Sequence, residues 1–180
     1  MTIKNYLHHM PCLSAQVFID DSAQIIGNLS IGEESSVWCN AVIRADVNHI
    51  HIGHHTNIQD LTMCHVSHKT ATKPLGSPLL IGNYVTIGHS VILHGCSIAD
   101  YCLIGMGSII MDDVVVNTQV IVGAGSLVTP AKELKSGFLY VGRPAVAVRE
   151  LTEEEITFIN YSAEHYVRLK NNYLKSELPE

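Results

Sequence analysis

Apolar residues recur along this chain at a spacing of six. Ile19, Ile25, Ile31, Val37 and Ile43 open the series. A nine-residue step leads to Ile52, Ile58 and Cys64, and a gap then runs to Ile81, Ile87 and Leu93. A five-residue step leads on to Ile98, Ile104, Ile110, Val116, Val122 and Val128. All of these positions but Cys64 are Ile, Leu or Val, residues that make up only 52 of the 180 in the chain. A period of six is neither the 3.6 of a helix nor the 2 of a strand face. A short strand plus a corner accounts for it. Three such faces make a triangular coil of about 18 residues, with the aliphatic column filling its interior.

The expected architecture is therefore an all-β solenoid, a parallel β-helix over 15–130, within a single domain spanning 1–180. Gly32, Gly53, Gly82, Gly88, Gly105 and Gly123 each follow a repeat residue. Glycine there permits close packing or unusual backbone angles. Four positions after the repeat residue stand small side chains such as Ala23, Ser35, Ala41, Ser108 and Ser126, which suit a tight corner. The repeat is expected to end near Thr129–Pro130, with an irregular connection over 131–150. A helix follows over 152–175: Thr152-Glu153-Glu154-Glu155 reads as a capping box. Ile156, Ile159, Ala163, Tyr166 and Val167 then recur at helical spacing, a face suited to lying along the β-helix.

Composition narrows the function. The formal net charge of −6 argues against a nucleic-acid or anionic-membrane partner, since both need a basic face. No stretch approaches the roughly 20 apolar residues of a membrane span, and the first residues hold no signal-peptide run. Five cysteines without a CxxC pair fit reduced thiols in a cytoplasmic protein. Histidine is abundant, at 11 residues.

The register turns some of those histidines into a site. If the gap between Cys64 and Ile81 is one step carrying a bulging loop, about 67–78, then Ile43, Cys64 and Leu93 lie one coil apart. Arg44, His65 and His94 then form one outward column. Neighbouring coils are about 4.8 Å apart, so the two stacked imidazoles are close enough to share a metal ion. The same arithmetic stacks His89 over Asp60, with Gln59 beside it, on a different face. His89 is then out of reach of the first pair, and as a third ligand it would have to come from a neighbouring subunit. A prism packed about a threefold axis brings the two columns together and lets Arg44 approach the neighbour's copy of Asp60. Three imidazoles with an open fourth position describe a catalytic zinc site, for which carbonic anhydrase is the standard example.

The run IRADVNHIHIGHHTNIQDLTMCHVSH, followed by IGHSVILHGCSI, resembles the gamma-class carbonic anhydrase-like family. The resemblance extends over essentially the whole chain and is nearest to bacterial members described as hexapeptide-repeat, transferase-like proteins. It rests on Arg-x-Asp, Asn-x-Gln-Asp, a histidine five residues on, and a His-x4-His pair. It implies a left-handed parallel β-helix with a C-terminal α-helix. It also implies a homotrimer with interface metal sites, and hydration of CO2 to bicarbonate by a zinc-type metal hydroxide. On this resemblance His65, His89 and His94 are the metal ligands, for Zn2+ with Fe2+ or Co2+ as alternatives. Gln59 holds the bound hydroxide with Asn57 nearby, Arg44, Asp46 and Asp60 organise the interface, and Tyr166 reaches in from the helix. Where active members carry two glutamates, this chain has Val47 and His68. His68 is then the candidate proton shuttle, since imidazole titrates nearest to neutral pH.

Plainer readings stand beside these. Arg44 and Asp60 also fit an ordinary ion pair, and Tyr166 a core aromatic. Cys64 and Cys96 flank the ligands, but Cys64 holds an inward position and reads as a small buried hydrophobe. Two other functions compete. One is coenzyme A-dependent acyl transfer, a chemistry common on hexapeptide repeats. The other is a non-catalytic metal-binding scaffold.

Overall fold

The computed structural model describes residues 2–176; Met1 and 177–180, part of the expected single-domain span, lie outside the described residues. The chain winds into a parallel β-solenoid followed by one α-helix, α1 (Glu153–Ser176). The six-residue series resolves into three interleaved ladders. Ile25, Ile43, Cys64, Leu93, Ile110 and Val128 stack on one face. Ile31, Ile52, Ile81, Ile98 and Val116 stack on the second. Ile19, Val37, Ile58, Ile87, Ile104 and Val122 stack on the third. All but Ile19 are buried, and they form one continuous core. Two faces join into a 12-stranded sheet because Gln24–Ile31 and Val42–Ile52 each run unbroken round a corner; the third face is an 8-stranded sheet.

The solenoid is longer than 15–130 at both ends. Ile3 pairs with Ile25 and Leu13 with Ile31, so the N-terminal residues begin the winding. At the other end Leu134 pairs with Val116 and Tyr140 with Val122. Residues 131–150 are thus not irregular. They hold two further strands of the coil, and Ala145–Glu150 then turns back antiparallel on Phe138–Gly142. The ending was hidden because glutamate stands beside the inward Leu134, a tyrosine takes the inward position at Tyr140, and the last strand reverses direction.

The corners divide labour differently from the sequence reading. A left-handed backbone angle falls three positions after most inward residues, at Glu34, Asn40, His55, Leu61, Tyr84, Ser90, Tyr101, Asp113, Gln119 and Ala131 among others. Few corners use glycine there. The glycines directly after the inward residue serve close packing instead. A Cβ on Gly53 would sit 2.5 Å from the Gly82 carbonyl oxygen of the next coil. Gly53→Ala is therefore expected to lower stability by about 2 kcal/mol or more, as overpacking does. Gly107, left-handed with open space around it, should lose only about 1 kcal/mol on replacement by alanine, the cost of the backbone angle. Thermal melts of the two variants check the ordering. Corner hydroxyls close the coil: Ser35 donates to the Gly53 carbonyl at 2.8 Å and Thr56 to the Gly82 carbonyl at 2.8 Å.

Helix α1 lies on the third face against the strands Ser36–Val37 and Thr86–Ile87. The capping box closes reciprocally. The Glu155 N–H donates to Thr152 Oγ1 at 3.2 Å, and the Thr152 N–H donates to Glu155 Oε2 at 3.0 Å. Arg149 adds a two-pronged bond to Glu155, whose carboxyl is held down to about 2. Ile159 and Ala163 bury as their spacing implies, and so does Lys170. No helix among the described residues is long and apolar enough to cross a membrane.

Candidate metal centre

The register places His94 directly against His65 on adjacent strands. His65 Nδ1 and His94 Nε2 lie 3.1 Å apart. The remaining nitrogen of each ring meets a carboxylate: His65 Nε2 is 3.0 Å from Asp46 Oδ1, and His94 Nδ1 is 2.7 Å from Asp112 Oδ1. A carboxylate accepts a hydrogen bond, so the ring nitrogen that faces it carries the proton. Both lone pairs then point at each other across the 3.1 Å gap. Two imidazole nitrogens bound to one tetrahedral ion at 2.0–2.1 Å would stand about 3.3 Å apart. The donor chemistry and the spacing thus fit a divalent ion of the zinc type, with the carboxylates fixing ring orientation from behind.

His89 repeats the arrangement in the turn after Thr86–Ile87 of the 8-stranded sheet, where its Nδ1 is 2.8 Å from Asp60 Oδ2. Among the described residues no three of His, Cys, Asp or Glu converge on one point. One chain therefore brings together His65, His94, Asp46 and Asp112, and separately His89 and Asp60.

Beside His89 runs a buried amide relay. Ser162 of α1 lies 3.1 Å, hydroxyl to hydroxyl, from Thr86. The Asn57 side-chain amide donates to Thr86 Oγ1 at 3.0 Å, and Gln59 Nε2 donates to Asn57 Oδ1 at 3.0 Å. The spare atom of Gln59 is therefore its acceptor oxygen. Tyr166 stands edge-on to Trp38 at 5.4 Å, and burial together with the Asp60 charge raises its pKa. Arg44 pairs with Asp46 two residues along the same strand, because alternate residues share a face. The sequence placed Asp46 and Asp60 at an interface, yet within the chain both carboxylates already engage imidazoles. His68 is exposed in the loop that follows His65. Cys64 is fully buried, and burial pushes its thiol up to about 12, which suits the hydrophobe rather than the thiolate reading.

Sequence reasoning missed two residues here. Asp112 lies one coil beyond His94, and extending the Arg44–His65–His94 column by one step reaches Met111 beside it. Cys39 lies one coil below Asp60 and donates to Asp20 at 3.3 Å; its thiol is pushed up to about 11 by burial and by Asp20 and Asp60.

A hexapeptide-repeat solenoid bearing paired, carboxylate-backed imidazoles defines the class. A carbonic anhydrase from Geobacillus kaustophilus is 43% identical over 171 residues, covering 95% of this chain and 90% of the relative. Gamma carbonic anhydrase 2, mitochondrial, from Arabidopsis thaliana is 44% identical over 93% of this chain, which spans 60% of that protein's length. Among solved structures, a hexapeptide transferase family protein from Anaplasma phagocytophilum superposes with a TM-score of 0.89 at 41% identity, covering 96% of this chain and 98% of the other. A Bacillus cereus protein described as a putative acetyltransferase gives a TM-score of 0.91 at 38% identity, with 98% of each chain covered. No family model matches. The chain belongs to the gamma-class carbonic anhydrase family.

Proposed function

We propose that this protein hydrates CO2 to bicarbonate with a divalent metal ion held between subunits of a homotrimer. The carrying observation is the facing of His65 and His94 across 3.1 Å, each with a carboxylate behind it. His89 of a neighbouring subunit is the natural third ligand, because Asp60 engages only its Nδ1 and the side chain is 45% exposed. Such an ion, Zn2+ with Fe2+ or Co2+ as alternatives, supplies a Lewis acid that lowers the pKa of a water molecule to about 7. The chain's own residues do the rest. The Gln59 oxygen, fixed by the Asn57–Thr86 relay, accepts a hydrogen bond from the reacting water and sets its orientation. His68, exposed in its loop, takes the released proton to solvent. Tyr166 reads better as a partner of Trp38 than as a group that touches substrate.

The trimer has its own support. Val42, Met63, Ile92, Ile109 and Leu127 form an outward ladder beside the His65–His94 column. All five stay partly or largely open to solvent in one chain. A continuous aliphatic stripe next to a polar site is what an interface between copies requires.

Acyl transfer shares the fold, and fold alone does not assign chemistry. Metal analysis paired with stopped-flow CO2 hydration tests the proposal. The expected result is about one metal ion per subunit and hydration that is lost on chelation and restored by Zn2+ or Co2+. Full occupancy with negligible hydration would favour the scaffold reading, and tight acetyl-coenzyme A binding without metal would favour acyl transfer.

A further inference from the structure

The loop over 67–78 leaves the coil directly after His65 and returns before Leu79. Its stem is closed by paired backbone bonds between Ser67 and Ser77, at 3.0 and 3.1 Å. Asn48 donates its side-chain amide to the carbonyls of Ser67 and Leu75, at 3.0 and 2.8 Å. Lys73 bonds to Ser77 and pairs with Asp113. The loop is thus fastened to the corner at 111–113, one coil beyond His94.

One carboxylate connects that fastening to the imidazole pair. Asp112 Oδ1 accepts from His94 Nδ1 at 2.7 Å, while Asp112 Oδ2 accepts from the Ser67 hydroxyl at 2.9 Å. The approach depends on Gly95. That residue is left-handed at φ +55, and a Cβ there would sit 2.3 Å from Asp112 Oδ1 and 2.5 Å from the Ser77 Cβ. Glycine directly after His94 therefore leaves room for the carboxylate on one side and the loop stem on the other.

We infer that Asp112 is a positioning residue for His94 and that, through Ser67, it latches the 67–78 loop to the metal centre. This rests on the proposed ligand role of His94. The carboxylate fixes the proton on Nδ1, so Nε2 keeps its lone pair toward His65. The second oxygen makes ring angle and loop position two ends of one rigid link. The loop that carries His68 is thereby held in place by the same group that orients the ligand.

The test uses the full-length protein, with Zn2+ and Co2+ as probes, and compares wild type with Asp112→Asn and Ser67→Ala. Asparagine keeps the shape and removes the charge. Metal affinity in Asp112→Asn should fall roughly 10- to 100-fold, the usual cost of losing such a partner, with a smaller loss in Ser67→Ala. Nitrogen-15 spectra of the metal-free protein should show the Nδ1–H tautomer of His94 in wild type and a mixed population in Asp112→Asn. Amide exchange at Ser67 and Ser77 should quicken in both variants. Strong metal binding by wild type with unchanged affinity and tautomer in Asp112→Asn overturns the inference and leaves the proposed function standing. No metal uptake by wild type overturns the proposed function instead. In that case an unaltered tautomer and unaltered exchange in Asp112→Asn overturn the latch, while their change supports it.

Discussion

His94→Ala and His89→Ala subunits, each inactive alone, are expected to regain about a quarter of wild-type CO2 hydration when mixed at random into trimers. Each proposed site draws His65 and His94 from one subunit and His89 from its neighbour. A site works when the first subunit carries only the His89 change and the second only the His94 change. In an equal mixture each condition holds half the time. Metal content should recover in the same proportion, since a site lacking one of three imidazoles binds zinc weakly. A site contained within one chain would recover nothing, because every chain in the mixture lacks a ligand. Co-expression of two differently tagged variants gives the mixed trimers, and stopped-flow hydration with metal analysis reads the result. No recovery would sink the shared site. Full activity of His94→Ala alone would sink the ligand role itself.

The inward ladders were legible because every inward position meets only other inward positions, so its residue type is set by burial alone. His65 over His94 followed from the same arithmetic, as did His89 over Asp60. The corners were not legible. The left-handed angle at Tyr84, Leu61 or Gln119 is imposed by the geometry of the coil, and nothing in these side chains asks for it. The Arg44–Asp46 pairing was legible in principle, since residues two apart on a strand share a face, yet the threefold packing argument drew Arg44 toward Asp60 instead. Asp112 escaped because the five-residue step after Leu93 shifts the count just where the column needed extending. Its tie to Ser67 joins residues 45 apart through a loop that obeys no register at all. Lys170 escaped for a different reason. It falls on the stripe of Ile159 and Ala163, but a lysine on an apolar stripe is ordinarily taken as a chain that carries its charge out to water.

Lys170 does not reach water, and replacing it with methionine is expected to cost about 3 kcal/mol of stability. Its side chain is fully buried between α1 and the solenoid, with the ammonium 2.8 Å from Glu34 Oε2 and 2.7 Å from Asn171 Oδ1. Methionine keeps most of the volume, so the variant isolates the charge. Glu34 Oε2 is itself buried and has no other hydrogen-bond partner. Removing the lysine leaves a carboxylate oxygen uncompensated at a corner whose backbone is already left-handed, at φ 60. Breaking one side of a buried pair costs roughly 3–5 kcal/mol. The lower end applies because the Glu34 side chain keeps 24% of its surface exposed. Adding Glu34→Gln to Lys170→Met should recover most of the loss, since a neutral amide needs far less from its surroundings than an unpaired charge. The double variant thereby separates a lost charge pair from a poorly packed helix. Thermal and denaturant melts read the stabilities, and limited proteolysis within 153–176 reads the docking of α1. A loss below about 1 kcal/mol in the single variant would place this pair with exposed surface bridges and refute its role in holding the helix.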